Sequence, residues 1–210
     1  MGLISAGTTI FDAGVVNAGG SLNFIKKITA SSSSTISFVH GSSSVVFDGT
    51  YKEYLFMFNN LHPGANACDF LFQVSTNSGS SYGVSMTSCY AQSYHKEDGS
   101  AGNFNHRTGA VNSLGNSTGF QSMSTADGIG NDNDQCGSGY LRFFNPADTT
   151  HVKNWMIDFT HYTNDNGSIR NFVSGYVNST SAINAIQFKM NNGSADQNTD
   201  KGDICLYGIA

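Results

Sequence analysis

Glutamate is nearly missing from this 210-residue chain: Glu53 and Glu97 are the only two. Proline is almost as rare, with Pro63 and Pro146 alone, and only 12% of residues carry a charge, about half the usual share. The strong helix formers are sparse, whereas Val, Ile, Thr, Phe and Tyr are common, which weighs against helix and for strand. Basic clusters are also absent. Lys26-Lys27 is the one basic doublet, and the net charge is -5. A nucleic-acid surface needs clustered Lys and Arg to neutralise phosphates, so nucleic acid is excluded as an expected partner. No apolar run approaches the ~20 residues that span a bilayer, and the opening "MGLISAGTTIFDAG" lacks the basic and apolar regions of a signal peptide. The expectation is a soluble chain without membrane insertion, made in a cytoplasm.

Metal and nucleophile signatures are missing too. Cys68, Cys89, Cys136 and Cys205 show no CxxC spacing, so no zinc motif is present. Cys68 and Cys205 lie in or beside apolar segments and are expected as buried free thiols. His40, His62, His95, His106, His151 and His161 form no HxH or HExxH pattern. His62, ahead of Pro63 at a strand end, is expected to be structural. The loops "GSSSV" (41–45) and "GSGY" (137–140) are not nucleophile elbows. Glycoside hydrolysis needs two carboxylates held about 5–10 Å apart, and Glu53, Glu97 and the loop aspartates form no such pair by sequence. The expectation is a non-enzymatic protein with no catalytic residues and no cofactor.

What the chain does contain is strand. Fifteen Phe and a 39% apolar content are enough to bury a core. Candidate strands run over 21–30, 34–40, 52–61, 69–76, 84–94, 139–145, 151–162, 169–178, 183–190 and 203–209, separated by breakers such as "ASSSS", "HPGANA" and "TNDNGS". With no helical periodicity between them, about ten strands predict an all-β, antiparallel β-sandwich of jelly-roll-like type. In 52–61, Tyr54, Phe56 and Phe58 alternate on one face, with Leu55 and Met57 on the other. Such a strand is expected to be covered on both sides, the second cover being this chain or another subunit. In 69–76, Phe70, Phe72 and Val74 oppose Leu71, Gln73 and Ser75. In 183–190, Ile186, Phe188 and Met190 oppose Ile183, Ala185, Gln187 and Lys189, a half-wet alternation. Trp155, mid-strand beside Met156 and Ile157, is expected in the core.

The domain reading is a Gly/Ala-rich N-terminal arm over 1–20, a candidate docking segment, and one sandwich over 21–210. A long polar insertion near 97–135 interrupts the sandwich. It is too long for a structureless loop, so it is expected to hold one or two short strands, or a small turn of helix near 119–124. The insertion ends in "DGIGNDNDQCGSG" (127–139). Read from Asp132 as a calcium loop, its position five is Cys136 and its position twelve is Phe143, which excludes an EF-hand. Asp132 and Asp134 remain weak candidates for an irregular calcium site. The plainer reading is a polar connection whose Asn and Asp tolerate turn conformations. Tyr82, Tyr90, Tyr94, Phe104, Tyr162 and Tyr176 are candidates for a sugar-stacking surface, against the rule that most aromatics of an all-β chain are core.

Several runs resemble a family found widely in marine bacteriophage genomes. They are "GSLNFIKKITASSSSTISF" (20–38), "TYKEYLFMFNNLHP" (50–63), "STGFQ" (117–121), "GNDNDQCGSGYLRFFNPADTTHVKNW" (130–155), "VSGYVNSTSAINAIQFKM" (173–190) and "DICLYGIA" (203–210). The resemblance covers the chain from about residue 20 onward and departs at "SMTSCYAQSYHKEDGSAGNF" (85–104). Its motifs are structural and carry no enzymatic residues. It implies a virion protein: a capsid decoration or knob, or a tail-fibre-like appendage, exposed on the particle and aiding host attachment. The alternative is a lectin-like module recognising host glycans at a fibre tip. The expected partners are other capsid or tail proteins and copies of the chain itself, with a trimer favoured because virion appendages assemble symmetrically.

Overall fold

The structure, a computed structural model, describes residues 21–109, 111–124 and 128–210, together with the backbone of 3–5, 8–12 and 15–16. In the N-terminal arm, β1 (Leu3–Ser5), β2 (Thr8–Asp12) and β3 (Val15–Val16) pair antiparallel in that order. The docking role expected of the arm lies outside the described residues.

The remaining strands are β4 (Leu22–Thr29), β5 (Ile36–Val39), β6 (Glu53–Pro63), β7 (Asp69–Ser75), β8 (Met86–Lys96), β9 (Gly102–His106), β10 (Gln121–Ser122), β11 (Gly137–Phe144), β12 (Lys153–Tyr162), β13 (Gly167–Val177), β14 (Ala185–Asn191), β15 (Asp196–Gln197) and β16 (Thr199–Ile209). They form an all-β sandwich of two antiparallel sheets. The large sheet has eight strands in the order β4-β16-β6-β11-β12-β13-β8-β9. The small sheet has five: β10-β7-β14-β15, with β5 also on β14. All ten strands expected from alternation are present, with ends shifted by a few residues. The insertion holds β9 and β10, and the turn of helix considered near 119–124 is a short strand instead.

The core lies between the sheets and is aromatic. Tyr54, Phe56 and Phe58 of β6 point inward with Leu141, Trp155 and Phe159, and meet Phe38, Phe70, Phe72 and Phe188 of the small sheet. Phe188 is the hub: its ring lies 5.4 Å from Phe56, 5.4 Å from Phe58 and 5.6 Å from Phe70. Phe72 meets Trp155 edge-on at 5.1 Å. Trp155 fits because Gly175 lies opposite it; a Cβ there would stand 2.5 Å from the indole and 2.4 Å from the Thr87 carbonyl. Edge-to-face packing of this kind adds about 0.5–1.5 kcal/mol per pair beyond the buried area.

One polar chain runs through this core. The Tyr90 hydroxyl donates to Asn171 Oδ1 at 2.7 Å. Asn171 Nδ2 donates to the Phe159 carbonyl at 3.0 Å and lies 3.2 Å from His161 Nδ1. His161 Nε2 is buried without a partner, and burial pushes the imidazole down to about 3. Tyr90 is therefore core, not a sugar-stacking surface. Its place on β8 opposite Val173 turns it inward, where its hydroxyl meets the one amide able to receive it.

The outer faces of the sheets differ. Leu71, Gln73 and Ser75, on the outer side of the small sheet, are all buried. Residues 118–120 lie over Gln73 and Lys189: Gln73 Nε2 donates to the Thr118 and Gly119 carbonyls at 3.0 and 2.9 Å, and Lys189 Nζ stands 4.2 Å from the Phe120 ring centre; Ser75 is closed off by the turn at Asn77–Gly79. The half-wet face expected on β14 is thus partly roofed by the insertion. Among the described residues, nothing roofs the outer face of the large sheet. Met57 is exposed there and Leu55 half-buried, so cover on both sides of β6 is not supplied by the described residues.

Candidate functional site

Strand β6 does not keep its alternation to the end. Phe58 and Leu61 are both buried although three residues apart, a spacing that requires one extra residue between them. That residue is Asn60, at φ +50°. The register of β6 slips here against both neighbours, between Gly137 and Gly139 on β11 and between Lys201 and Asp203 on β16. Gly202 makes this possible: at φ +109°, a Cβ on it would lie 2.6 Å from the Asn60 carbonyl oxygen and 2.8 Å from that of Asn59. Bulges of this type re-aim side chains at sheet ends. Here the bulge turns Asn59 and Asn60 toward the loop that precedes β11.

That loop is pinned from below by one buried side chain. Gln135 Oε1 accepts from the Asp132 amide at 3.1 Å, and its Nε2 donates to the Thr163 carbonyl at 3.1 Å. The Gln135 amide closes the turn on the Asp132 carbonyl at 2.9 Å. His62 Nε2 lies 3.2 Å from the same carbonyl, while His62 Nδ1 is buried without a partner. This geometry suits an Nε2–H donating to that carbonyl. Ser138 Oγ accepts from the Asn60 amide at 3.0 Å.

The result is an open depression of about 540 Å³ lined by Asn59, Asn60, His62, Asp134, Lys201 and Asp203. Asp203 is fixed at its rim. The Thr29 hydroxyl, 2.5 Å away, and then Lys27, 3.3 Å away, hold its carboxyl below the ordinary carboxylate range. Cys136 separates this depression from a second, of about 430 Å³, lined by His95, Glu97, Ser138, Thr160, Tyr162 and Ser168. Together they make a polar shelf across one end of the large sheet. It carries the amides of Asn59 and Asn60, the hydroxyls of Ser138, Thr160 and Tyr162, and the charged groups of Glu97, Asp134, Lys201 and Asp203. Cys136 is not an activated nucleophile, because burial and then Asp134 raise its thiol.

The candidate residues fall as follows. Asp132 and Asp134 are exposed on the loop, and among the described residues no group of three His, Cys, Asp or Glu stands close enough to hold a metal. Glu53 starts β6 and Glu97 follows the end of β8. The strand directions put them at opposite ends of the sheet, about 30 Å apart at ~3.3 Å per residue. His151 is exposed beside Asp148 at 3.1 Å, and His161 is buried at the other end of β12. Of the aromatics named as possible sugar platforms, Phe104 is the most exposed; Tyr82, Tyr94, Tyr162 and Tyr176 are half-buried, and Tyr162 alone lines the shelf. The four cysteines are free, with Cys68 and Cys205 buried, Cys136 half-buried and Cys89 exposed.

No protein-family model matches the chain, and neither curated proteins nor solved structures give a match.

Asn59, Asn60, Lys201 and Asp203 join the site only through the bulge and were not singled out by sequence reasoning. The signal was present in "LFMFNNLHP", where the apolar alternation breaks parity at the Asn pair.

Proposed function

We propose that the chain is a non-enzymatic structural protein of a bacteriophage particle, displayed on its surface as a capsid decoration, a knob or a tail-fibre-like appendage, and assembled with copies of itself. The observation that carries this reading is the uncovered outer face of the eight-stranded sheet, where Leu22, Phe24, Met57, Tyr140, Met156 and Phe172 are exposed. A lone soluble domain seldom leaves such a face bare. A particle protein made in the host cytoplasm and buried against neighbours on assembly has reason to. The Ser-, Asn- and Gly-rich loops at the sheet ends suit the exposed side of such a coat. Immunogold labelling of intact virions tests the reading. Gold on head or tail supports it, and particles without label overturn it.

A second reading is favoured by the polar shelf. A module that recognises host glycans needs convergent amide and hydroxyl groups beside an aromatic ring, and Asn59, Asn60, Ser138, Thr160 and Tyr162 provide that chemistry. A glycan array with the purified chain and its Asn60→Ala variant tests it. Specific hits lost in the variant support the module, and an array without hits removes it.

A further inference from the structure

We infer that the outer face of the eight-stranded sheet is the surface on which a second copy of this chain docks. The inference rests on the assembling-protein reading above and names the surface that does the assembling. Cross-strand register sets the face out in two rows. One row runs Phe24–Tyr207–Leu55–Arg142–Met156–Ser174–Cys89, and the next runs Lys27–Cys205–Met57–Tyr140–Asp158–Phe172–Ala91. Phe24 is 61% exposed, Met156 53%, Leu22 48%, Tyr140 38%, Phe172 37% and Met57 36%. At about 200 Å² for a large side chain, these fractions leave roughly 500 Å² of residue surface bare. That is the size at which exposed apolar patches mark interaction surfaces, and most of the ~800 Å² per partner that a stable interface buries.

Three features select a copy of the same chain as the occupant. The first is charge. The ionic groups in and beside the patch are paired: Arg142 with Glu53, Arg170 with Asp158 through two bonds of 2.9 and 2.6 Å, and Lys27 with Asp203 at 3.3 Å. The patch is neutral on a chain of net charge -5, so two copies meet there without like-charge repulsion, and an ionic partner finds no unpaired charge within it. The second is shape. Sheets pack face to face about 10 Å apart and aligned within about 30° when their twists match, and a second copy carries the same twist. The third is relief. Beside the protruding Met156, a hollow of about 350 Å³ opens at Cys89 and Ala91, walled by Tyr140, Met156 and Phe172. A knob and a recess on one face let that face fit itself.

Sedimentation velocity over a concentration series tests this on the full chain. The wild type is expected to sediment above monomer mass. Met156→Asp and Phe172→Asp, each placing a charge in the patch, are expected to reduce it to monomer, while Ser194→Asp, in the exposed loop after β14, leaves assembly unchanged. Met156→Thr, which keeps strand propensity, repeats the test should an aspartate variant fail to fold. A wild type that stays monomeric, or patch variants that assemble as it does, overturn the inference. A monomer that nonetheless labels virions overturns this interface and leaves the particle reading intact. An assembled chain absent from virions does the reverse.

Discussion

The two outer faces of this sandwich solve the same problem in opposite ways. Each sheet has one side in the shared aromatic core and one side turned away from it. Over the small sheet the chain lays its own residues 118–120, held by Gln73 to the Thr118 and Gly119 carbonyls. Over the large sheet none of the described residues is laid, and Phe24, Met57, Tyr140, Met156 and Phe172 stay exposed. The side chains differ accordingly. A face roofed by irregular backbone must satisfy that backbone's carbonyls, and Gln73 does so. A face proposed to meet another sheet needs apolar contact and cancelled charge, and it carries those. A bare face is therefore informative only beside a roofed one: among the described residues the chain covers one sheet and leaves the other open.

Four substitutions sharpen this contrast, in decreasing order of their effect on folding. Phe188→Ala removes the ring on which both layers meet and is expected to cost about 3–5 kcal/mol, read as a fall in the urea midpoint. It should weaken both faces equally, since it lies beneath both. Asp69→Asn comes next and acts through pH. Burial pushes the Asp69 carboxyl up to about 7 from 3.8, against the pull of Arg107. The folded state thus holds a proton that the unfolded chain releases, and this contribution is lost as pH rises through about 7. His161, pushed down to about 3 from 6.5, does the opposite. Its unfolded form takes a proton below about 6.5 that the folded form refuses until about 3, so stability falls as pH falls. Between about 4 and 6.5 the two slopes cancel. One group sits on β7 of the roofed layer and the other on β12 of the bare one. Asp69→Asn is expected to unmask His161, so that stability falls more steeply on acidification in that window than in the wild type. Equally flat pH profiles for variant and wild type, measured by denaturant titration, would remove this account of the core.

Gln73→Ala is third. It frees the carbonyls of Thr118 and Gly119 and is expected to cost about 1–3 kcal/mol. Amide exchange should quicken in 111–124 while assembly stays intact. The smallest folding effect belongs to Met156→Asp, an exposed position where changes fall within about 0.5 kcal/mol, yet it is the one expected to abolish association. If Gln73→Ala disturbed assembly, or Met156→Asp disturbed folding as strongly as Gln73→Ala, the division of labour between the faces would be lost.

Much of the sandwich was legible as alternation. Tyr54, Phe56 and Phe58 gave β6, and Phe70, Phe72 and Val74 gave β7, because a period of two needs no distant partner to be seen. The open second face was half-legible: Leu55 and Met57 announced an apolar outer side, and only the fold reveals that no segment of the described chain reaches it. The roof was not legible. Gln73 and Gln121 meet backbone carbonyls, which leave no mark in a side-chain pattern, and β10 and β15 are two residues each. The shelf divides in the same way. Asp132 and Asp134 stood out by composition, whereas Asn60, Lys201 and Gly202 meet through a bulge coupled to two neighbouring strands. That coupling is a property of register, and its one trace in sequence is the odd spacing of Phe58 and Leu61.

The bare face holds its own reporter. Cys89 is exposed on it, and Cys136 is half-buried on the polar shelf outside it. Alkylation rates of the two thiols, followed by mass spectrometry as protein concentration is raised, test the central claim directly. The account predicts that Cys89 becomes protected with concentration while Cys136 does not change, and that Met156→Asp restores the reactivity of Cys89. A Cys89 that reacts at the same rate at every concentration would contradict it.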